Sequence, residues 1–338
     1  MSALDLSFQK LLQSQSLTLE ESYNAMKEIM SGDVSDIKLS AWLTALRLKG
    51  ESANEIAGCA KLMKEYASEI KCNDKNAIDV VGTGGDGAHT INISTTSAIV
   101  AAGAGITVAK HGNKAVSSKS GSADVLSSLG IKIDVTPEKM EETLNEIGIS
   151  FLFAPKLHPA MKYAMPVRKE LGMRSIFNIL GPLTNPAKVK RGVLGVYDKA
   201  LCPVIAKALV ELDCEHFLVV HGNDGLDEIT ISDNTFVCEV RNGEIKEYEL
   251  NPEDFGIKKV SITEVRGGEP AENAEIIKNI LSGKETGPML DIVLLNSAAA
   301  IYISGKVSSW NDAMKMAKET ISSGNAMNKL NELVAATN

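Results

Sequence analysis

The sequence predicts an α/β protein: a small helical N-terminal domain, discontinuous along the chain, and a larger α/β domain with a mainly parallel central sheet. Three observations predict it. Residues 1–70 carry helix signals only, whereas from Ala77 short β-branched runs alternate with helical segments. Between two of those runs, His158 to Ala187 is too long and too rich in Pro and Gly for a simple crossover, so it is expected to leave the sheet domain and pack elsewhere. A length of 338 residues suits about two domains, and 44% hydrophobic with 23% charged residues is enough to bury real cores. The expected division is 1–70 for the helical domain, with a return segment at about 158–187, and 71–338 for the α/β domain.

In chain order, "TLEE" (Thr18 to Glu21) and "SANE" (Ser52 to Glu55) have the form of capping boxes, which open helices. Between them Ile37, Ala41, Ala45 and Leu48 repeat at helical spacing as one apolar stripe. The runs "IDVV", "ITVA", "IKIDV", "ISFLFA", "GVLGVY" and "HFLVV" read as strands, and their alternation with helices predicts βαβ units. Asn242-Gly243, between two alternating runs, signals a hairpin. From about Pro270 the chain reads as helical again.

A net charge of −8 disfavours bulk attraction to nucleic acid or to anionic membrane, so neither is expected as a partner and any bound anion needs a local site. The N-terminus lacks the pattern of a signal peptide. The longest weakly apolar run, Ala98 to Ala109, is far short of the roughly 20 residues that span a bilayer. Five cysteines at scattered spacings, without a C-x-x-C pair, are expected to be reduced packing residues in a cytoplasmic protein.

Gly82-Thr83-Gly84-Gly85-Asp86-Gly87 matches G-x-G-x-x-G after a predicted strand. A dinucleotide site also needs a helix opening at the last glycine and an acid about 20 residues on. Here Ala88 to Asn92 intervene, and there is no Asp or Glu from Gly87 through Ala123. A P-loop needs Gly-Lys-Ser/Thr, and these glycines end in Asp-Gly-Ala. Two readings remain. The turn either exposes backbone N–H groups to a phosphate or diphosphate at the N-terminus of a helix starting at Asn92-Ile93-Ser94-Thr95, or is only a tight turn with Ser94 as N-cap.

The acid-free stretch contains His89, Lys110, His111, Lys114 and Lys119, a cationic window in an acidic protein. Its second part, "KHGNKAVSSKSGSA", follows the next strand, and in a parallel sheet both loops emerge at the carboxyl edge. Lys110, Asn113, Ser117, Ser118 and Ser122 can then face the first loop, which makes a site for a polyanion.

With "GTGGD", "NIST", "KHGN" and "NILGPLTNP" in this order, essentially the whole chain resembles the anthranilate phosphoribosyltransferase family, which joins anthranilate to phosphoribosyl diphosphate in tryptophan biosynthesis. The resemblance implies a homodimer formed through the small domain, and Mg2+ as cofactor. It implies that Gly84, Gly85 and Asp86 cradle the diphosphate, continued by Thr90, Asn92, Ser94 and Thr95, while Lys110, Asn113, Ser118 and Ser122 contact phosphate or ribose. Ser94, with Asp227 and Glu228 of "NDGLDEIT", would hold the metal. An adjacent Asp-Glu is usually solvated surface, yet magnesium needs only one or two carboxylates completed by phosphates and water. Anthranilate would meet Gly82, Asn113, His158 and Arg168.

Arg168 shares a helical stripe with Met161, Ala164, Met165 and Leu171, where a guanidinium either snorkels to solvent or forks onto a benzoate. Lys162 stands where some relatives have an aromatic residue. The implied reaction is displacement of diphosphate at C1 by the aryl amine, with inversion and no covalent protein intermediate. A pyrimidine-nucleoside phosphorylase shares the architecture, but its loop resembles Ser-Thr-Gly-Gly-Val-Gly-Asp-Lys, and here Asp follows the glycine pair directly. A nucleic-acid-binding relative without catalysis would show a basic surface and a degraded "KHGN".

Overall fold

The structure, a computed structural model, describes residues 1–114 and 119–338. The chain opens with α1 (Ala3–Leu12), α2 (Leu19–Ser31), α3 (Asp36–Lys49) and α4 (Ala53–Tyr66). Thr18 with Glu21 and Ser52 with Glu55 close reciprocal capping boxes at the starts of α2 and α4, each cap being worth about 1 kcal/mol. The stripe Ile37, Ala41, Ala45, Leu48 is not the core face of α3. Its buried face is Leu39, Trp42, Leu43 and Leu46, whereas Ile37 and Leu48 are 82% and 83% exposed. This helix is apolar on two faces, and the one bearing the bulky Trp42, whose Nε1 donates to Ser7 Oγ at 2.9 Å, takes the interior.

The α/β part continues with β1 (Ile78–Gly82), α5 (Ile93–Gly103), β2 (Val108–Gly112), α6 (Ser122–Ser128), α7 (Pro137–Ile147) and β3 (Ile149–Phe153). Three short helices follow, α8 (Ala154–Leu157), α9 (Met165–Leu171) and α10 (Ile176–Leu183), before β4 (Arg191–Gly195), α11 (Leu201–Glu211) and β5 (His216–Gly222). The hairpin of β6 (Thr235–Arg241) and β7 (Glu244–Leu250) turns at Asn242 and Gly243, whose φ of 51° and 85° suit a two-residue turn with both centres left-handed. Helices α12 (Pro270–Leu281), α13 (Pro288–Ile303), α14 (Trp310–Ser322) and α15 (Asn325–Thr337) complete the chain.

Among the described residues these strands form one seven-stranded sheet in the order β3-β2-β1-β4-β5-β6-β7, parallel through β5 and antiparallel at β6 and β7. "IKIDV" is not a strand. Residues 131–135 form a turn between α6 and α7, and the chain terminus takes the place of a neighbouring strand: Thr337 Oγ1 accepts from Lys132 N–H, and Asn338 Nδ2 donates to the Gly130 carbonyl. The alternation there reflects Ile131 packing into the core.

Two hydrophobic cores lie on opposite faces of the sheet. One gathers β1, β2 and β3 with α5, α13 and α15. The other joins α1 to α4 with α11 and with Val167, Ile176, Phe177 and Leu180, so the Pro- and Gly-rich stretch packs against the N-terminal helices. Because β1 lies between β2 and β4, the connections leaving β1 and β4 diverge to opposite faces. Such a divergence opens a crevice at the carboxyl ends of the strands, where open α/β sheets bind ligands.

Candidate active site

Gly82 and Gly195 end β1 and β4 and sit opposite each other at that crevice, and Thr83 N–H donates to Gly195 O at 2.9 Å. Beyond them Gly84, Gly85 and Gly87 take φ of 69°, 85° and 73°, a region glycine enters without steric cost. Among the described residues nothing accepts from the backbone N–H of Gly85, Asp86 or Gly87. The turn is thus a row of backbone donors that no described residue engages.

The loop after β5 brings in the acids. Asp227 Oδ2 accepts from Gly84 N–H at 2.6 Å, and Glu228 Oε1 accepts from Ser94 N–H at 3.2 Å in the first turn of α5. Ser94 is not the N-cap: Asn92 holds that position without a side-chain cap bond, and Glu228 supplies an acceptor instead. The Asn92 side chain is engaged elsewhere, donating to Ser120 O at 3.0 Å and accepting from Asn273 Nδ2 at 3.0 Å. Two glycines let the acidic loop lie flat on the strand ends. A Cβ on Gly82 would stand 2.6 Å from Asp227 Oδ2, and one on Gly195 only 1.6 Å from Asp227 O.

Burial pushes the Asp227 carboxyl well above the usual range, and the carboxylates of Glu228 and Asp86 push the same way. Glu228 is pushed up to about 7 by burial, opposed by Lys110. Lys110 is only 4% exposed and is turned inward, donating to Val80 O at 2.6 Å, with Ser94 Oγ at 3.5 Å. It lies beneath the site as the counter-charge to Glu228 and to Asp79, which burial pushes up to about 6 even though Asn185 Nδ2 and His111 N–H both donate to it. No set of three or more His, Cys, Asp or Glu side chains among the described residues encloses a metal site by itself.

The other expected residues are placed as follows. Ser122 Oγ donates to Asn113 O at 3.0 Å, which joins the end of β2 to the start of α6. Ser118 lies outside the described residues. Thr90 bridges to Arg266, and Thr95 is 1% exposed, leaving its first-turn N–H as what it can offer. His158 is buried, with Nε2 3.2 Å from His111 Nε2, and His111 Nδ1 is 3.1 Å from Gly181 O. Burial pushes His111 down to about 3 and His158 to about 4, so His111 drops out of the cationic window. The Arg168 guanidinium lies 5.3 Å over the Phe177 ring, its Nη1 3.7 Å from Met165 Sδ, and no described carboxylate pairs with it. Lys162 lies over the neighbouring Tyr163 ring at 4.8 Å.

Sequence reasoning passed over four residues here. Arg174 donates to Gly85 O and stacks 3.8 Å over the Tyr197 ring, Asn185 holds Asp79, and Asn273 holds Asn92. Asn185 lies within "NILGPLTNP", but the other three belong to no motif. Asn273 reaches Asn92 across 181 positions, a pairing that no local pattern signals.

Comparison with known proteins places the chain in a family. Residues 7–67 match the helical bundle domain of a glycosyl transferase family and residues 74–327 its α/β domain. The chain is 51% identical over 335 residues to the anthranilate phosphoribosyltransferase of Clostridium kluyveri, covering 99% of this chain and 100% of that one. It is 49% identical to that of Methanobrevibacter smithii, covering 97% and 98%. Among solved structures, the anthranilate phosphoribosyltransferase of Thermus thermophilus superposes with a TM-score of 0.94 at 42% identity over 100% of this chain and 99% of that one. The Saccharomyces cerevisiae enzyme in complex with PRPP and Mg gives 0.91 at 33%, covering 99% and 97%. The chain therefore belongs to this glycosyl transferase family and, within it, to the anthranilate phosphoribosyltransferases.

Proposed function

We propose that the chain transfers the phosphoribosyl group of phosphoribosyl diphosphate to the amine of anthranilate, giving N-(5-phosphoribosyl)anthranilate and diphosphate, a step of tryptophan biosynthesis. The observation that carries this reading is the row of backbone N–H groups at Gly85, Asp86 and Gly87 that no described residue accepts from, set beside the buried Asp227 and the half-buried Glu228 at the sheet's switch point. Backbone donors suit a diphosphate, and the α5 N-terminus adds its dipole. Gly84, Gly85, Asp86, Asn92, Ser94 and Thr95 bind it in this reading, with Thr90, Asn113, Ser118 and Ser122 extending the site toward phosphate and ribose and Lys110 acting from beneath as a counter-charge.

Three mutually repelling carboxylates, with one buried ammonium against them, are a donor set that a divalent cation relieves, so the residues fit magnesium. Asp227, Glu228 and the Ser94 hydroxyl would hold it, sharing it with substrate phosphates. When bound, the metal supplies charge neutralisation for the departing diphosphate. Arg168, unpaired by any described carboxylate, presents a fork for the benzoate, with Gly82, Asn113 and uncharged His158 around the ring. An aryl amine is already uncharged near neutral pH, so positioning carries most of the catalysis and no protein nucleophile enters.

The chain acts in this reading as a helical unit, residues 1–70 with 158–187, set against an α/β unit, 71–338. The exposed Ile37 and Leu48 of α3 support a homodimer through the helical unit. The free cysteines fit a cytoplasmic enzyme, and the net charge of −8 disfavours nucleic acid and anionic membrane as partners; no described helix is long and apolar enough to cross a membrane. The test is loss of anthranilate fluorescence on mixing the protein with phosphoribosyl diphosphate. Magnesium-dependent loss is expected, and no loss from a folded sample refutes the reading.

A further inference from the structure

Arg174 lies on the segment between α9 and α10, yet among the described residues its hydrogen bond and its ring contact are both made with the crevice. Its Nη2 donates to the Gly85 carbonyl, and its guanidinium plane stacks 3.8 Å over the Tyr197 ring. Tyr197 N–H in turn donates to Thr83 Oγ1 at 3.1 Å, and Thr83 N–H donates to Gly195 O at 2.9 Å. The contacts form a closed circuit through three segments: the glycine turn, the stretch before α10 and the loop after β4. A side chain at residue 85 would strain it, since Gly85 has φ +85° and a Cβ there would stand 3.1 Å from Arg174 Nη2.

What the circuit holds is one peptide plane. In a trans peptide the carbonyl of Gly85 and the N–H of Asp86 point in opposite directions, and the described chain has no cis bonds. Anchoring the carbonyl on Arg174 therefore aims the Asp86 N–H away from Arg174, and that N–H is one of the three donors that no described residue engages. Both residues before the plane are glycines with positive φ, so the plane is free to flip unless something pins it. Flipped, it would offer an anion a carbonyl oxygen in place of a donor. Arg suits the task and Lys does not, because only a planar guanidinium stacks on a ring and donates along its edge at once.

We infer that Arg174 is a positioning residue that pins the Gly85–Asp86 peptide in its anion-binding orientation, with Tyr197 as the platform. The inference rests on the diphosphate reading of the glycine turn.

The test is calorimetric binding of phosphoribosyl diphosphate with Mg2+ to the wild type, R174A and R174K, alongside steady-state kinetics and thermal melting. Loss of one charge-assisted hydrogen bond predicts binding roughly tenfold weaker in R174A, about 1.4 kcal/mol. The KM for anthranilate and the melting temperature should stay near wild type. R174K should remain impaired, and added methylguanidinium should restore R174A. Unchanged affinity in R174A overturns the inference. So does an R174K that behaves as wild type, which would make the residue a plain point charge for phosphate, and so does a loss that follows the melting temperature, which would make it merely structural. Should R174A fail to fold, Y197L removes the platform alone and must weaken phosphoribosyl diphosphate binding in the same direction. A wild type that binds no phosphoribosyl diphosphate refutes the diphosphate reading itself, and the pin falls with it; that outcome is seen before any variant is compared.

Discussion

Gly195 offers the sharpest test of how the acidic loop is held. It is the last residue of β4, and a Cβ added there would stand 1.6 Å from the carbonyl oxygen of Asp227, 2.5 Å from its carbonyl carbon and 3.3 Å from Glu228 N. All three atoms are backbone, so no side-chain rotation can relieve the clash. To reach ordinary contact the loop must retreat by roughly 1.5 Å or more. Asp227 and Glu228 move with it, away from Gly84 N–H and Ser94 N–H, the donors that now orient them. Misplacement by about 1 Å is enough to cost on the order of a hundredfold in rate, whereas overpacking costs about 1–3 kcal/mol of stability. Gly195→Ala is therefore expected to stay folded, to lose about a hundredfold in kcat/KM, and to need more magnesium for half-maximal rate. Fluorescence-detected turnover across a magnesium titration, with thermal melting beside it, measures all three. A folded G195A with wild-type turnover and magnesium dependence would refute the argument that these glycines seat the acids.

Asp227→Asn combined with Glu228→Gln removes like charges that are buried against each other, so without magnesium its melting temperature should equal or exceed wild type while the magnesium-dependent rate disappears; an unaffected rate would dismiss the metal assignment. The histidine pair predicts acid sensitivity. Both folded values, about 3 for His111 and about 4 for His158, lie below the ordinary value near 6.5, so the unfolded chain takes up protons first and stability is lost as pH falls through about 6.5. At pH 5.5 each ring costs about 1.4 kcal/mol relative to neutral pH. Asp79 and Glu228, with raised values, respond in the opposite sense, so the comparison is made between wild type and His158→Gln in urea unfolding at pH 7.5 and 5.5. The gap between the two proteins should change by about 1.4 kcal/mol, and a constant gap would show His158 is not buried in its neutral form. On the proposed homodimer through α3, the wild type should sediment as a dimer and Ile37→Asp with Leu48→Asp, on its exposed apolar face, as a monomer; a dimer in both would place the contact elsewhere, and a monomeric wild type would refute the dimer.

The amino-acid order alone determined the local elements, because their causes are local. The capping boxes at Thr18 and Ser52 are made between residues three apart, the Asn242-Gly243 turn needs only two residues that tolerate positive φ, and the glycine turn needs only glycines. The parallel sheet was legible for a similar reason, since strands alternating with helices leave few other arrangements. Where the local pattern served two outcomes, tertiary packing chose. Both faces of α3 are apolar, and only the fit of Trp42 beneath α1 decided which is buried. "IKIDV" has strand periodicity, yet the chain terminus took its backbone partners.

The candidate site divides in the same way. Its donors and acids could be named from the sequence, but their electrostatics could not. Lys110 and His111 read as cations along the chain; in the fold one is turned under the sheet edge as a counter-charge and the other is desolvated to neutrality. Asp227 and Glu228, which look like solvated loop residues, are drawn out of water in the fold, and that desolvation raises both carboxyls, with the neighbouring Asp86 carboxylate pushing the same way. Arg174 carries no sequence signal at all, because its partners Gly85 and Tyr197 come from two other loops. Charge state and long-range pairing depend on what surrounds a side chain in space, and only the fold assembles those surroundings.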